Sequence, residues 1–115
     1  MDERLQNALE FSNYSVTIAN QKKNIKNRVS QIQVVIFNGG SFIADQQTIS
    51  FVKALVDLDK KEAIILDTND NPIRIGKLSD FLEELVSAYT SAMNEYDIKM
   101  AKLKKTRNLK SMLEL

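Results

Sequence analysis

Chemistry in this chain would have to come from a small set of charged and hydroxyl side chains. The most concentrated group lies near one end, where Lys99, Lys102, Lys104, Lys105, Arg107 and Lys110 give residues 98–115 six bases against one acid. Such a cluster can follow a phosphate backbone, and binding of that kind weakens steeply with salt. Lys102 and Lys105 fall near one helical face, but Lys104 and Arg107 spread around it. A solvated helix end that complements its own dipole accounts for the pattern better than a polyanion site does. A second group is acidic: Asp80, Glu83 and Glu84. Three carboxylates can bind Mg²⁺ or work as an acid–base pair, yet that requires acids converging from separate elements. These three sit within five residues, where the first turns of a helix favour negative charge.

Two loop-like motifs are weaker still. Asp67-Thr68-Asn69-Asp70-Asn71 imitates the first half of a calcium loop, but Pro72 occupies the position that needs Gly and Leu78 the position that needs a bidentate Glu. It reads as a polar hairpin turn. Asn38-Gly39-Gly40 could bring backbone N–H groups close to an anion, but no Lys-Ser/Thr follows and neither phosphate-loop signature is present. Tyr89 and Tyr96 fall at apolar seam positions and are expected to be packed rather than to stack on bases.

Composition narrows the function further. Among 115 residues there is no His, Cys or Trp. Disulfides, Cys/His zinc sites, thiol nucleophiles and every Ser-His or Cys-His relay are thereby excluded. No catalytic residue, metal ligand or cofactor site is expected, and the chain is read as non-enzymatic. The net charge of +1 conceals an acidic middle, with 11 acids against 5 bases over residues 45–97, and the basic end already described. No apolar run approaches the roughly 20 residues that cross a bilayer, and Met1-Asp2-Glu3 lacks the basic start of a signal peptide. A cytoplasmic protein without membrane contact is the expectation.

The elements that would position these groups are mainly helical. Phe11, Tyr14, Ile18, Gln21, Ile25, Arg28, Ile32 and Val35 alternate spacings of three and four, a heptad seam behind an Asp2 cap. Asn38-Gly39-Gly40 fits either a left-handed cap closing a long helix or a type I′ turn pairing 31–37 with 40–44. The unbroken seam through Ile25, Val29, Ile32 and Ile36 favours the helix, over 3–37. The β-branched run Val34-Val35-Ile36-Phe37 favours the hairpin. A small α/β insertion follows over 38–78, with an Asp45-capped helix at 46–59, broadly apolar and expected to be largely buried, and a β-hairpin at 63–75. Ser79 is expected to cap a last helix over 79–107, whose seam carries Leu82, Leu85, Tyr89, Ala92, Tyr96 and Leu103. Residues 108–115 are read as a tail.

The whole is a single α+β domain, mainly α, in which two long helices with heptad seams flank a short helix and a small β-hairpin. Charge favours an antiparallel arrangement: Lys22, Lys23, Lys26 and Arg28 would then face Asp80, Glu83 and Glu84, each exposed pair contributing about 0–1 kcal/mol. Two long seams expose more apolar surface than one chain covers, so a coiled-coil homo-oligomer is predicted. Its packing positions are Phe11, Tyr14, Ile18, Ile25, Ile32, Leu82, Leu85, Tyr89, Tyr96 and Leu103. Nucleic-acid binding through Lys99, Lys102, Lys104, Lys105 and Arg107 ranks second.

Three stretches also carry a resemblance. Asn38-Gly39-Gly40-Ser41-Phe42, the turn Leu66 to Ile73, and the helix with Tyr89, Ala92, Asn94-Glu95-Tyr96, Lys102-Leu103-Lys104-Lys105 and Arg107 make residues 35–110 similar to small accessory or virion proteins of T4-like tailed phages, including those of marine cyanobacteria. The resemblance brings no catalytic or binding motif. It implies an accessory or virion-associated protein made in a bacterial host cytoplasm.

Overall fold

A computed structural model describes residues 2–113, with the side chains of all of these except 11, 14, 15 and 107–113. The elements follow in the order α1 (Glu3–Ile32), β1 (Val34–Phe37), β2 (Gly40–Ile43), α2 (Gln46–Asp57), β3 (Ala63–Leu66), β4 (Pro72–Ile75) and α3 (Leu78–Leu113). The class is α+β, mainly helical, with two small antiparallel hairpins where one was expected. Two compact units are distinguishable: Met1–Arg28 with Glu95–Leu115, and Val29–Asn94.

The first correction concerns the end of α1. The helix stops at Ile32 rather than continuing to residue 37, and the β-branched run becomes a strand. Asn38 and Gly39 both take positive φ, 50° and 81°, which a two-residue type I′ turn requires at its two central positions. Pairing then sets Val34 opposite Ile43, Val35 opposite Phe42, Ile36 opposite Ser41 and Phe37 opposite Gly40. Strand geometry alternates the side chains, so Val35 and Phe42 go inward while Val34, Ile36 and Ile43 remain exposed. A helix would have spread the four apolar residues around its circumference; the hairpin buries the inner side and satisfies the backbone across the ladder.

Asp45 caps α2 as expected, its carboxylate accepting from the Thr48 N–H at 2.8 Å. The helix ends at Asp57, two residues before the expected 59. Asp59 takes a left-handed φ of 60°, its N–H reaching Val56 O and the Lys60 N–H reaching Leu55 O, the two bonds of a Schellman cap. Burial of α2 is one-sided: Val52 is fully buried, whereas Phe51, and Leu58 just past the helix end, are exposed. The hairpin β3–β4 falls within the expected limits and pairs Ala63 with Ile75 through to Leu66 with Pro72.

In the last helix, α3 begins at Leu78, and the Phe81 N–H bonds back to Lys77 O. Ser79 therefore lies in the first turn and is not its cap. The helix also runs on to Leu113, so most of the stretch read as a tail from 108 is helical. At 36 residues it is about 54 Å long.

The core of the Val29–Asn94 unit joins β1, β2, α2, β4 and the first turns of α3 through Val35, Phe42, Ala44, Val52, Ile75, Leu78, Phe81 and Leu85. Phe81 is its centre. Its ring lies 4.8 Å from that of Phe42, near edge-on, and 5.0 Å from that of Phe37, both within the range where aromatic pairs add to burial. The two hairpins are tied by backbone approach as well. A Cβ on Gly40 would stand 2.6 Å from Ile73 Cγ1, and Asn38 Nδ2 donates to Arg74 O at 3.0 Å.

Candidate interaction surfaces

The calcium-like turn proves to be an organiser of the fold. Asp67 is the one buried charged residue in the described part of the chain. Its Oδ1 accepts from the N–H groups of Asn69 and Asn71, both at 2.9 Å, and its Oδ2 from the N–H of Ser41 at 3.2 Å. The Asn71 bond leads a set of hydrogen bonds that hold its carboxyl below the ordinary value of 3.8, against a desolvation effect of opposite sign. With its oxygens engaged by amides, the carboxylate closes the β3–β4 turn and fastens it to β2. No cluster of three or more acids suited to a metal exists among the described residues.

The expected seam does not behave as one surface. On α3, Leu85 is fully buried in the core, while Leu82 and Tyr89 pack against it. Tyr89 also accepts a 2.8 Å hydrogen bond from Gln46 Nε2. Leu85 is thus used wholly within the unit, and the half-buried Leu82 and Tyr89 in part. Their periodicity was visible, but the cluster they join also draws Val35 and Phe42 from β1 and β2, far upstream in the chain. Tyr96 and Leu103, further along α3, and Ile18 and Ile25, on α1, are half-buried. Ile32 is exposed at the last residue of α1. Phe11 and Tyr14 lie outside the described side chains.

The basic end is only partly available. Lys99 is half-buried, its Nζ 3.7 Å from Glu95 Oε1 one helical turn away. Lys102, Lys104 and Lys105 are exposed and belong to none of the described ion pairs; the Arg107 side chain lies outside the described set. At 100° per residue, Lys104 points well away from the face shared by Lys102 and Lys105. A single basic stripe is not formed.

Two surfaces were missed in the sequence. On α1, Leu5, Leu9 and Val16 are 53%, 46% and 56% exposed. With Ser12 and Ala19 they repeat at spacings of four and three, a second stripe nearly opposite Ile18 and Ile25. A helical projection of all apolar residues would have revealed it, but small Ser and Ala at alternate positions weaken the signal. The other surface is the outer edge of β1. Because Phe37 and Gly40 close a two-residue turn, the hydrogen-bonded pairs alternate from there, and the Ala44 N–H to Gln33 O bond of 2.7 Å continues the series. The backbone groups of Val34 and Ile36 consequently point away from β2, and among the described residues no strand pairs with that edge. On the other side of the hairpin the corresponding groups of Ser41 are satisfied, its N–H by Asp67 and its C=O by the Thr68 N–H at 2.8 Å.

No helix among the described residues is long and apolar enough to cross a membrane. No protein family, curated protein or solved structure matches the chain.

Proposed function

We propose that this chain is a non-enzymatic interaction or assembly protein that works as a homo-oligomer built through its long helices, a structural or accessory protein in phage terms, acting in the host cytoplasm or the virion. The observation that carries the reading is the stripe Leu5, Leu9 and Val16, exposed on one side of α1 while Ile18 and Ile25 are half-buried on the other. The Ile18 and Ile25 face is thus already partly covered within the chain. The second apolar face is covered most economically by a helix from another copy, and antiparallel pairing of the long helices is the orientation their charges favour. Burying the exposed parts of three such side chains contributes about 2–4 kcal/mol per chain toward association, to which the rest of the helix interface must add to offset the lost rigid-body freedom.

Light scattering after size exclusion, across a dilution series, tests this. A mass above the monomer's at tens of micromolar is expected, and Leu5→Gln, Leu9→Gln and Val16→Gln together should reduce it without loss of far-UV helical signal. A monomer at all concentrations would overturn the reading. Nucleic-acid binding through exposed Lys102, Lys104 and Lys105 is the second reading; it ranks lower because the three do not share a face.

A further inference from the structure

We propose that the free edge of β1 is a docking site for an extended segment in which basic and apolar residues alternate, bound by strand addition. This goes beyond the helical assembly reading and does not rest on it. A groove runs along all four residues of β1, from Val34 to Phe37, and its opposite wall is the flank of α3 carrying Asp80, Glu83, Glu84, Ser87 and Ala88. The two walls match in length: four strand residues extend about 13 Å and the helix from Asp80 to Ala88 rises about 12 Å.

The strand wall of this groove supplies directed bonding. Val34 and Ile36 present outward N–H and C=O groups that meet no partner strand among the described residues, while the equivalent groups of Ser41 are closed off. Strand addition satisfies such groups and draws its affinity from them. Specificity comes from the two faces. A segment laid beside β1 alternates its side chains, one set continuing the exposed Val34/Ile36 face and the other descending on the side of Val35 and Phe37, where α3 lies. The second set meets Asp80, Glu83 and Glu84, none of which belongs to a described ion pair. The complementary sequence therefore places Val, Ile or Leu on one side and Lys or Arg on the other. A second copy is the poorer occupant, because pairing β1 with β1 across a twofold brings two acidic walls together.

The probe is a fluorescein-labelled hexapeptide of alternating Lys and Val, followed by polarisation with the full chain. Binding that weakens as salt rises is expected, with none for the Glu-Val counterpart. Glu83→Gln with Glu84→Gln should weaken it by about tenfold. Ile36→Pro removes an outward N–H that the hairpin does not use and should abolish it; Pro is tolerated on edge strands for that reason. Should that variant fold poorly, a peptide N-methylated at the amides facing β1 makes the same test on the unaltered protein and should not bind. Equal binding of the methylated peptide would overturn the proposal in favour of simple attraction to an acidic helix face. Absence of Lys-Val binding at millimolar peptide would overturn it outright, as would a dimer of the free chain that Ile36→Pro dissolves.

Discussion

Leu85 and Ile25 both occupy seam positions in the heptad pattern, and their truncation should nevertheless have unequal costs. Leu85 is 0% exposed and belongs to the cluster around Phe81, among groups from both the sheet and the helices. Removing its three outer carbons leaves a cavity that ring-packed neighbours cannot readily fill, so Leu85→Ala should cost about 3–5 kcal/mol, the upper part of the range for such changes. Ile25 is half-buried. Part of its side chain is already in water, and Ile25→Ala should cost about 1–2 kcal/mol. Neighbouring Lys26→Ala should fall within about 0.5 kcal/mol. A domain of this size is stable by roughly 5–15 kcal/mol, so the first change takes a large share and the third almost none. Urea unfolding followed by far-UV circular dichroism and, since there is no Trp, by tyrosine fluorescence supplies the assay. It should be run at concentrations where the association state is fixed, because association adds to apparent stability. Losses at Leu85 and Ile25 equal within about 0.5 kcal/mol, or a loss below about 1 kcal/mol at Leu85, would refute the assignment of the core to the Val29–Asn94 unit.

Gly40→Ala should destabilise by about 1–3 kcal/mol in a thermal or urea melt, because its Cβ would stand 2.6 Å from Ile73 Cγ1 and 2.9 Å from Phe42 Cε2. Gly39→Ala meets open space and should cost only the strain of its φ of 81°, about 1 kcal/mol. Asp67 is held below its ordinary pKa of 3.8 by amide bonds, so its contribution is fully present above that value and is lost as pH falls through the lower, folded value. The stability gap between the native chain and Asp67→Asn should consequently narrow under acid conditions, as melts at a series of pH values would reveal. Replacing Lys102, Lys104 and Lys105 with Gln should leave DNA and RNA mobility shifts unchanged, and loss of a salt-sensitive shift in that variant would raise the nucleic-acid reading above the helical one.

Element type was legible wherever a local cause acted alone. Asp2 and Asp45 each sit one residue before a helix, where a carboxylate accepts from first-turn amides, and both do so here, with Asp2 Oδ1 3.2 Å from Arg4 N. The polar turn after Leu66, the Pro72 that opens the second strand and the long uninterrupted run of helix formers after Gly76 were likewise readable, because turn chemistry and helix propensity are properties of a few adjacent residues. Burial was not. The periodicity of Leu82, Leu85 and Tyr89 shows that one face of α3 is apolar, but identifying its cover required the strands contributed by Val35, Phe42 and Ile75. Residues 34–37 could have continued a helix or formed a strand, their local preferences nearly balanced. The decision came from Phe42 and Phe81, which offer Val35 and Phe37 a packed site only in the strand. The same long-range pairing decided which backbone edge closes, through Asp67 on Ser41, and which remains open at Val34 and Ile36. A sequence displays the periods of its side chains; which face is covered depends on segments far apart in the chain, and only their packing in three dimensions determines it.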